Sequence, residues 1–284
     1  MSEAVVIPPR SRGILVKRLI IYSLLIAIAA LFFIPFIWSV STSFKTLPDT
    51  QNFSFIPKPW TLSGWKTVWT QYDFKLYIRN SFFLAVVITT ISLALSSLGG
   101  YAFARLRFPG RELLFFLVLG TLMIPDQLRL IPVFVMLTNW HLIASFKGYI
   151  LINLVSATNL FFMRQYFLTI PKDYEEAAKL DGAGYFKTFW RIMLPLASPA
   201  IAALAILQFQ GTWNDFFWPL ILFGQGNADH YTLQLGLALL HQTYTTLWPE
   251  IAAGSIMAII PVLIIFLAFQ RFFVSGVVSS GVKG

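Results

Sequence analysis

The sequence predicts an all-α integral membrane protein of six transmembrane helices, with a polar two-helix loop between the fourth and fifth spans. Three observations predict it. The 284 residues are 57% hydrophobic and only 12% charged, against roughly 45–50% and about 25% in soluble domains, so lipid rather than water must solvate most of the chain. Long runs carry no Lys, Arg, Asp or Glu at all. The basic residues crowd alternate connecting segments, which is the pattern of a fixed orientation across a bilayer.

A bilayer core of about 30 Å takes about 20 mainly apolar residues per helix. After a tail at residues 1–18, the uncharged run from Leu19 to Phe44 gives a first span near 19–41. It exceeds the roughly 7–15-residue apolar core of a secretory signal and is read as a retained anchor. Asn80 to Ala104 gives the second, near 80–104. The third, near 113–137, carries Asp126 and Arg129, spaced i and i+3 to pair, and Pro125, which breaks the helical ladder. The fourth, near 148–168, contains Arg164, long enough to snorkel to the interface. The uncharged runs Ile192 to Asn214 and Ile251 to Gln270 place the fifth and sixth near 199–222 and 251–272, leaving a tail at 275–284. No internal repeat divides the region 19–274, which is expected to be one domain.

With both ends inside, the inner segments hold fourteen of the 21 Lys and Arg residues and the outer segments seven, four of these in one long loop. The positive-inside rule therefore puts both termini in the cytoplasm. The long outer loop, Lys45 to Lys75, contains IPKPWTLSGW, a composition suited to packing on a membrane surface or on a docked partner. The net charge of +9 is spread over loops and forms no nucleic-acid stripe. No cysteine is present, which excludes disulfide and thiolate chemistry. His141, His230 and His241 have no ligand spacing, so no metal is expected. The dipeptide Gly-Lys does not occur, so there is no P-loop to hold ATP.

Between the fourth and fifth spans lies the most polar stretch, PKDYEEAAKLDGAGYFKTFWRIMLPLASP, Pro171 to Pro199, cytoplasmic by the charge count. Asp173 and Glu176 have capping-box spacing, so a short helix is expected to start near Tyr174. Ala177 and Ala178 leave a face of little bulk, and Gly182 after Asp181 permits a tight turn. A second helix follows, with Phe186, Phe189, Trp190 and Met193 on one face and Pro195 closing it. From pattern alone, a docking element and an amphipathic helix lying on the inner leaflet are equally served.

Glu176-Ala177-Ala178, then Gly182, then Ile192, Leu194 and Pro195 match the coupling-loop motif of ABC importer permeases: E-A-A, three residues, G, nine residues, I-x-L-P. The chain resembles that family over almost its whole length, and within it the carbohydrate-type subunits typified by the smaller maltose-importer permease. Trp213-Asn214-Asp215-Phe216-Phe217-Trp218-Pro219-Leu220 resembles that branch's W-N-D/E-F-x-W-P-L run. The ending QRFFVSGVVSSGVKG is similar too, with Ser279 and Ser280 where glycine or alanine is frequent.

The resemblance implies that Glu176, Ala177, Ala178, Asp181, Gly182, Phe186, Phe189, Ile192, Leu194 and Pro195 couple this chain to an ATPase. It implies no catalysis and no cofactor in this chain, with ATP and Mg bound by a partner. The implied assembly has a second, larger permease as heterodimer, two ATPase subunits or domains, and an external solute-binding protein. The implied location is the bacterial cytoplasmic (inner) membrane.

Polar residues in the fifth span are candidates for a sugar path, since intramembrane polar groups face bundle interiors or water-filled cavities. Ser198 and Pro199 look like N-cap and first helical residue. Gln208, Thr212 and Asp215 then share a face, with Asn214 and Trp218 beside it. Hydrogen bonds to neighbouring spans or a partner permease are the favoured reading of these residues, because in the maltose type that the chain resembles the principal sugar contacts belong to the other permease. The solute is expected to be a sugar or related glycoside or polyol. Glycerol phosphate is the neighbouring alternative. An ion-driven secondary transporter is the rival from another class, and a membrane enzyme would need a convergent acid–base set that the chain lacks.

Overall fold

The computed structural model describes residues 12–224, 228–241 and 246–281. Among these the chain is helical, with one isolated antiparallel bridge between His241 and Thr246. First come α1 (Arg12–Thr42), α2 (Ser63–Gln71) and α3 (Phe74–Arg105). Then follow α4 (Arg111–Thr121), α5 (Asp126–Asn139), α6 (Phe146–Ile152) and α7 (Ala157–Thr169). The loop contributes α8 (Asp173–Leu180), α9 (Tyr185–Thr188) and α10 (Leu194–Leu196), the last two joined by a π turn over Phe189–Met193. The chain continues with α11 (Ser198–Trp213), α12 (Phe217–Phe223), α13 (Leu233–Leu239) and α14 (Trp248–Gly281).

Three helices are long and apolar enough to cross a membrane: α1, α3 and α14, through Val16–Thr42, Phe74–Arg105 and Trp248–Ala268. Three further helix pairs are apolar and long enough only when taken together, and each is bent. α4 and α5 meet at 100°, α6 and α7 at 45°, and the rod Tyr185–Leu196 meets α11 at 74°. The region expected as the third span is bent just before Asp126, where Pro125, expected to break the ladder, sits with extended backbone (ψ 142°). The region expected as a fifth span stops at Trp213 and resumes at Phe217. At the ends, α1 already begins at Arg12 and α14 runs to Gly281, so part of each expected tail is helical; residues 1–11 and 282–284 lie outside the described residues.

Local chemistry accounts for these boundaries. Ser145 Oγ accepts from Gly148 N and Ser156 Oγ from Asn159 N, each at 3.2 Å, capping α6 and α7. α7 stops because Ile170 precedes Pro171 and is pushed to extended backbone (φ −73°, ψ 131°). Lys45, in the long loop after α1, buries its stem, donates from Nζ to Ser54 O at 2.6 Å and lies 4.4 Å from the Trp38 ring. The aromatic loop thus packs partly on itself, with Phe44 stacked 4.3 Å from Trp60.

The bundle is organised around α3, which packs on α7 and α11. A side chain at Gly100 would place Cβ 2.7 Å from Met163 Cβ and 2.9 Å from Arg164 N, so α3 and α7 are in backbone contact there. Polar rungs tie the helices: Asn159 Nδ2 of α7 donates to Gln208 Oε1 of α11 at 2.8 Å and lies 3.5 Å from Ser92 Oγ of α3. At the start of α3, Asn80 Nδ2 donates to Tyr231 O at 3.0 Å, and Ser81 Oγ accepts from Leu233 N at 2.8 Å. By contrast α1 lies beside α14 with its apolar residues exposed, a surface that lipid tolerates and water does not.

Candidate functional site

The loop expected between the fourth and fifth spans is a helical elbow. α8 begins at Asp173, with Lys172 in the capping position and no side-chain cap, so the expected capping box does not form. Charge supports the helix instead. Asp173, Glu175 and Glu176 fill its first turn and Lys179 its last, which complements the helix dipole. Its end is a Schellman turn: Ala183 N donates to Ala178 O at 2.9 Å and Gly182 N to Lys179 O at 3.1 Å, with Gly182 at φ +75°. No atom lies within 4 Å of a Cβ built on Gly182, so glycine is required by backbone conformation and not by space.

The second arm runs from Tyr185 to Leu196 and passes through Pro195, which was expected to close it. The π turn explains why. Leu194 N–H bonds back to Phe189 O, five residues earlier, and the widened turn accommodates a proline that has no N–H to offer. The expected aromatic face divides. Phe189, 2% exposed, and Met193 enter the core with Tyr101, Phe167 and Leu204, while Phe186 and Trp190 point outward. The outward surface of the elbow carries Leu180 (90% exposed), Phe186 (71%), Tyr174, Tyr185 and Trp190. Glu176, Ala177, Asp181, Gly182 and Pro195 are exposed as well, Ile192 and Leu194 half-buried, and Ala178 buried. Sequence reasoning missed Glu175 and Arg105, which anchor the elbow through an ion pair of 3.3 Å. Their signal was available: Arg105 ends the uncharged run of α3, and of two adjacent glutamates on a helix only one can face inward.

The fifth-span residues do not share one face, because α11 ends at Trp213 and the chain turns before Asp215. Ser198 is the first helical residue, and Ala197 occupies the capping position. Gln208 bonds Asn159, and its Nε2 lies 3.4 Å from Thr212 Oγ1. Asn214 is exposed and accepts from Gln234 Nε2 at 3.2 Å, beside a separate cleft between α11, α13 and α14. Asp215 Oδ2 accepts from Tyr149 OH at 2.7 Å, and its Oδ1 lies 3.4 Å from Trp218 N.

Asp215 and Trp218 line a cavity of about 510 Å³ together with Asp126, Gln127, Arg129 and Asn153. Three chain breaks converge on it, those before α5, after α6 and between α11 and α12. Non-helical backbone at membrane depth is tolerated where it lines such a space. The expected Asp126–Arg129 pair is formed and lies on this wall. Among the described residues, no three His, Asp or Glu side chains gather in a metal-ligating group.

An all-helical membrane protein with a polar cavity at its helix breaks, and a separate exposed elbow at one end, is built as a transport subunit. The chain belongs to the family of binding-protein-dependent transport system inner membrane components, whose pattern matches residues 96–278. It is 39% identical over 231 residues to an arabinooligosaccharides transport system permease protein of Halalkalibacterium halodurans, covering 81% of this chain and 82% of that one. It is 32% identical over 265 residues to a diacetylchitobiose uptake system permease protein of Streptomyces coelicolor, covering 92% and 87%. Among solved structures, a bacterial ABC transporter involved in the import of the acidic polysaccharide alginate superposes with a TM-score of 0.79 at 28% identity, covering 94% of this chain and all of that one.

Proposed function

We propose that the chain is the permease subunit of an ATP-driven importer for a sugar or related glycoside, forming half of the translocation path with a second, larger permease. In this reading α1, α3 and α14, the bent pairs α4–α5 and α6–α7, and α11 with α12 are six spans in all, with both termini and the elbow in the cytoplasm. The elbow receives the closure of two ATPase subunits, which bind ATP and Mg, and an external binding protein delivers solute. The single observation that carries the reading is the elbow itself: a Schellman-turned pair of short helices with Leu180, Tyr185, Phe186 and Trp190 outward and Phe189 inward. An apolar surface rimmed by charge is what a protein partner covers.

Solute is assigned to the cavity at the helix breaks, where Asp215 and Asp126 offer acceptors, Asn153 and Gln127 amides, and Trp218 an aromatic wall. Gln208 and Thr212 act as a structural rung beside the path. Asn214 faces the neighbouring cleft, which suits contact with the second permease. The charged lining is Asp126, Arg129 and Asp215, one cation against two carboxylates, and Arg129 already pairs with Asp126. That balance favours a neutral sugar over glycerol phosphate, whose anion would meet like charge.

Reconstitution with its partner subunits tests the reading. Uptake of a labelled neutral oligosaccharide is expected only with ATP on the elbow side, and Asp215→Ala is expected to lower it about tenfold by unpairing Tyr149 and emptying one wall of the cavity. Uptake by this chain alone, driven by an ion gradient, would overturn the assignment.

A further inference from the structure

The geometry points to Arg105, Glu175 and Tyr101 as the linkage that makes the elbow and the end of α3 move as one body. This inference rests on the transport reading above and names the residues through which closure of the ATPase reaches the membrane helices.

Arg105 is the last residue of α3, and its side chain is only 5% exposed. Nη2 donates to Phe167 O at 2.6 Å and also to Ile170 O, carbonyls at the end of α7, the first of which also accepts from Ile170 N at 3.3 Å. A guanidinium suits this place, since the C-terminal end of a helix is its negative pole and one planar fork serves several acceptors. Nε lies 3.3 Å from Glu175 Oε2 without a hydrogen-bond alignment, so this contact is an ion pair. The other oxygen, Glu175 Oε1, accepts from Tyr101 OH at 3.1 Å. Tyr101 lies one turn before Arg105, and its ring packs 5.8 Å from Phe167 and 5.3 Å from Phe189. Three segments thus meet at one cation, the ends of α3 and α7 and the first turn of α8, and Tyr101 joins the second arm of the elbow to them through Phe189.

Without this cluster α8 is weakly held. Ala178 is its one buried residue, and the chain leaves it through Gly182, whose surroundings are open. Glu176, adjacent in sequence, is exposed and has no part in the cluster. From Arg105, α3 runs about 48 Å at about 1.5 Å per residue, passing the Ser92–Asn159–Gln208 rung before reaching Ser81 and its bond to α13. A displacement of α8 that is rigidly passed to Arg105 therefore reaches the polar ties that α3 makes with α7 and α13. Glu175 and Arg105 are positioning residues in this scheme; neither needs to touch the ATPase.

The chain has no cysteine of its own, so spin labels at Arg107→Cys and Lys179→Cys, both exposed positions, report the distance between the end of α3 and α8 in the assembled complex freed of partner cysteines. In the parent complex the distance is expected to stay single and narrow in both the nucleotide-free and the ATP-trapped states. With Glu175→Ala it is expected to broaden, and solute moved per ATP hydrolysed to fall about tenfold, while basal ATP hydrolysis stays within about twofold. Glu175→Gln keeps the size of the side chain and an acceptor for Tyr101 but leaves Arg105 unpaired, and is expected to behave like Glu175→Ala. Unchanged distance and unchanged transport per ATP in both variants would overturn the linkage. So would loss of the ATPase subunits from both variants, which would make Glu175 a support of the docking surface only. A parent complex that fails to transport with ATP would instead sink the importer reading, whatever the variants do.

Discussion

Phe189→Ala is expected to cost about 3 kcal/mol of stability, the low end for removing a buried aromatic side chain. Phe189 is the inward knob of the elbow, with ring centroids 5.3 Å from Tyr101, 6.4 Å from Phe167 and 5.4 Å from Trp190. Its neighbours are held by helices α3 and α7, whose backbones are already in contact at Gly100, so collapse into the vacated space is restricted. Thermal unfolding of the purified protein in detergent should show a fall of roughly 6–12 °C, at about 2–4 °C per kcal/mol. Phe186→Ala is the internal comparison. Three residues earlier and outward-facing, it should change stability by no more than about 0.5 kcal/mol. Equal falls for the two variants would contradict the division of the aromatic face.

The double variant Leu180→Asp with Phe186→Asp is expected to do the reverse: leave unfolding unchanged and abolish ATP-driven uptake. Both side chains stand in solvent in the isolated chain, on either side of the Schellman turn. If they are the apolar anchors of a docked ATPase, two buried carboxylates at the centre of that interface weaken it by more than about 4 kcal/mol, roughly a thousandfold. Co-purification of the ATPase subunit with the tagged chain reads this directly, and retention of the subunit at the parental level would contradict the docking surface.

The contrast between these variants shows where sequence reasoning reached and where it stopped. Charge-free runs fall on α1, α3 and α14, because the cost of a charge in lipid is large and local and needs no knowledge of packing. The same runs could not show that α11 stops at Trp213, since a helix break inside a membrane changes no residue's hydrophobicity. Asp215 was therefore placed on the face of Gln208 and Thr212, whereas the turn at Asn214 swings it to Tyr149 and the cavity. Motif spacing located the elbow and its glycine turn, for the left-handed backbone at Gly182 has few sequence solutions. Which of its aromatics turn inward depends on how the arm docks against Tyr101 and Phe167 of α3 and α7, which its own period does not state. The inward glutamate was missed for a similar reason: Glu175 and Glu176 differ by about a third of a turn, and only the position of Arg105, seventy residues earlier in the chain, selects between them.

The most direct measurement is site-specific capture at Ala177, an exposed residue of α8 beside the glycine turn. In cells whose only maleimide-reactive site in the complex is Ala177→Cys, a membrane-permeant maleimide carrying a photoreactive benzophenone should, on illumination, join this chain to a nucleotide-binding subunit, and an impermeant maleimide should label the site only after the membrane is opened. Labelling of intact cells from outside, or capture of no nucleotide-binding subunit, would contradict the assignment of the elbow as the seat of an ATP-driven motor.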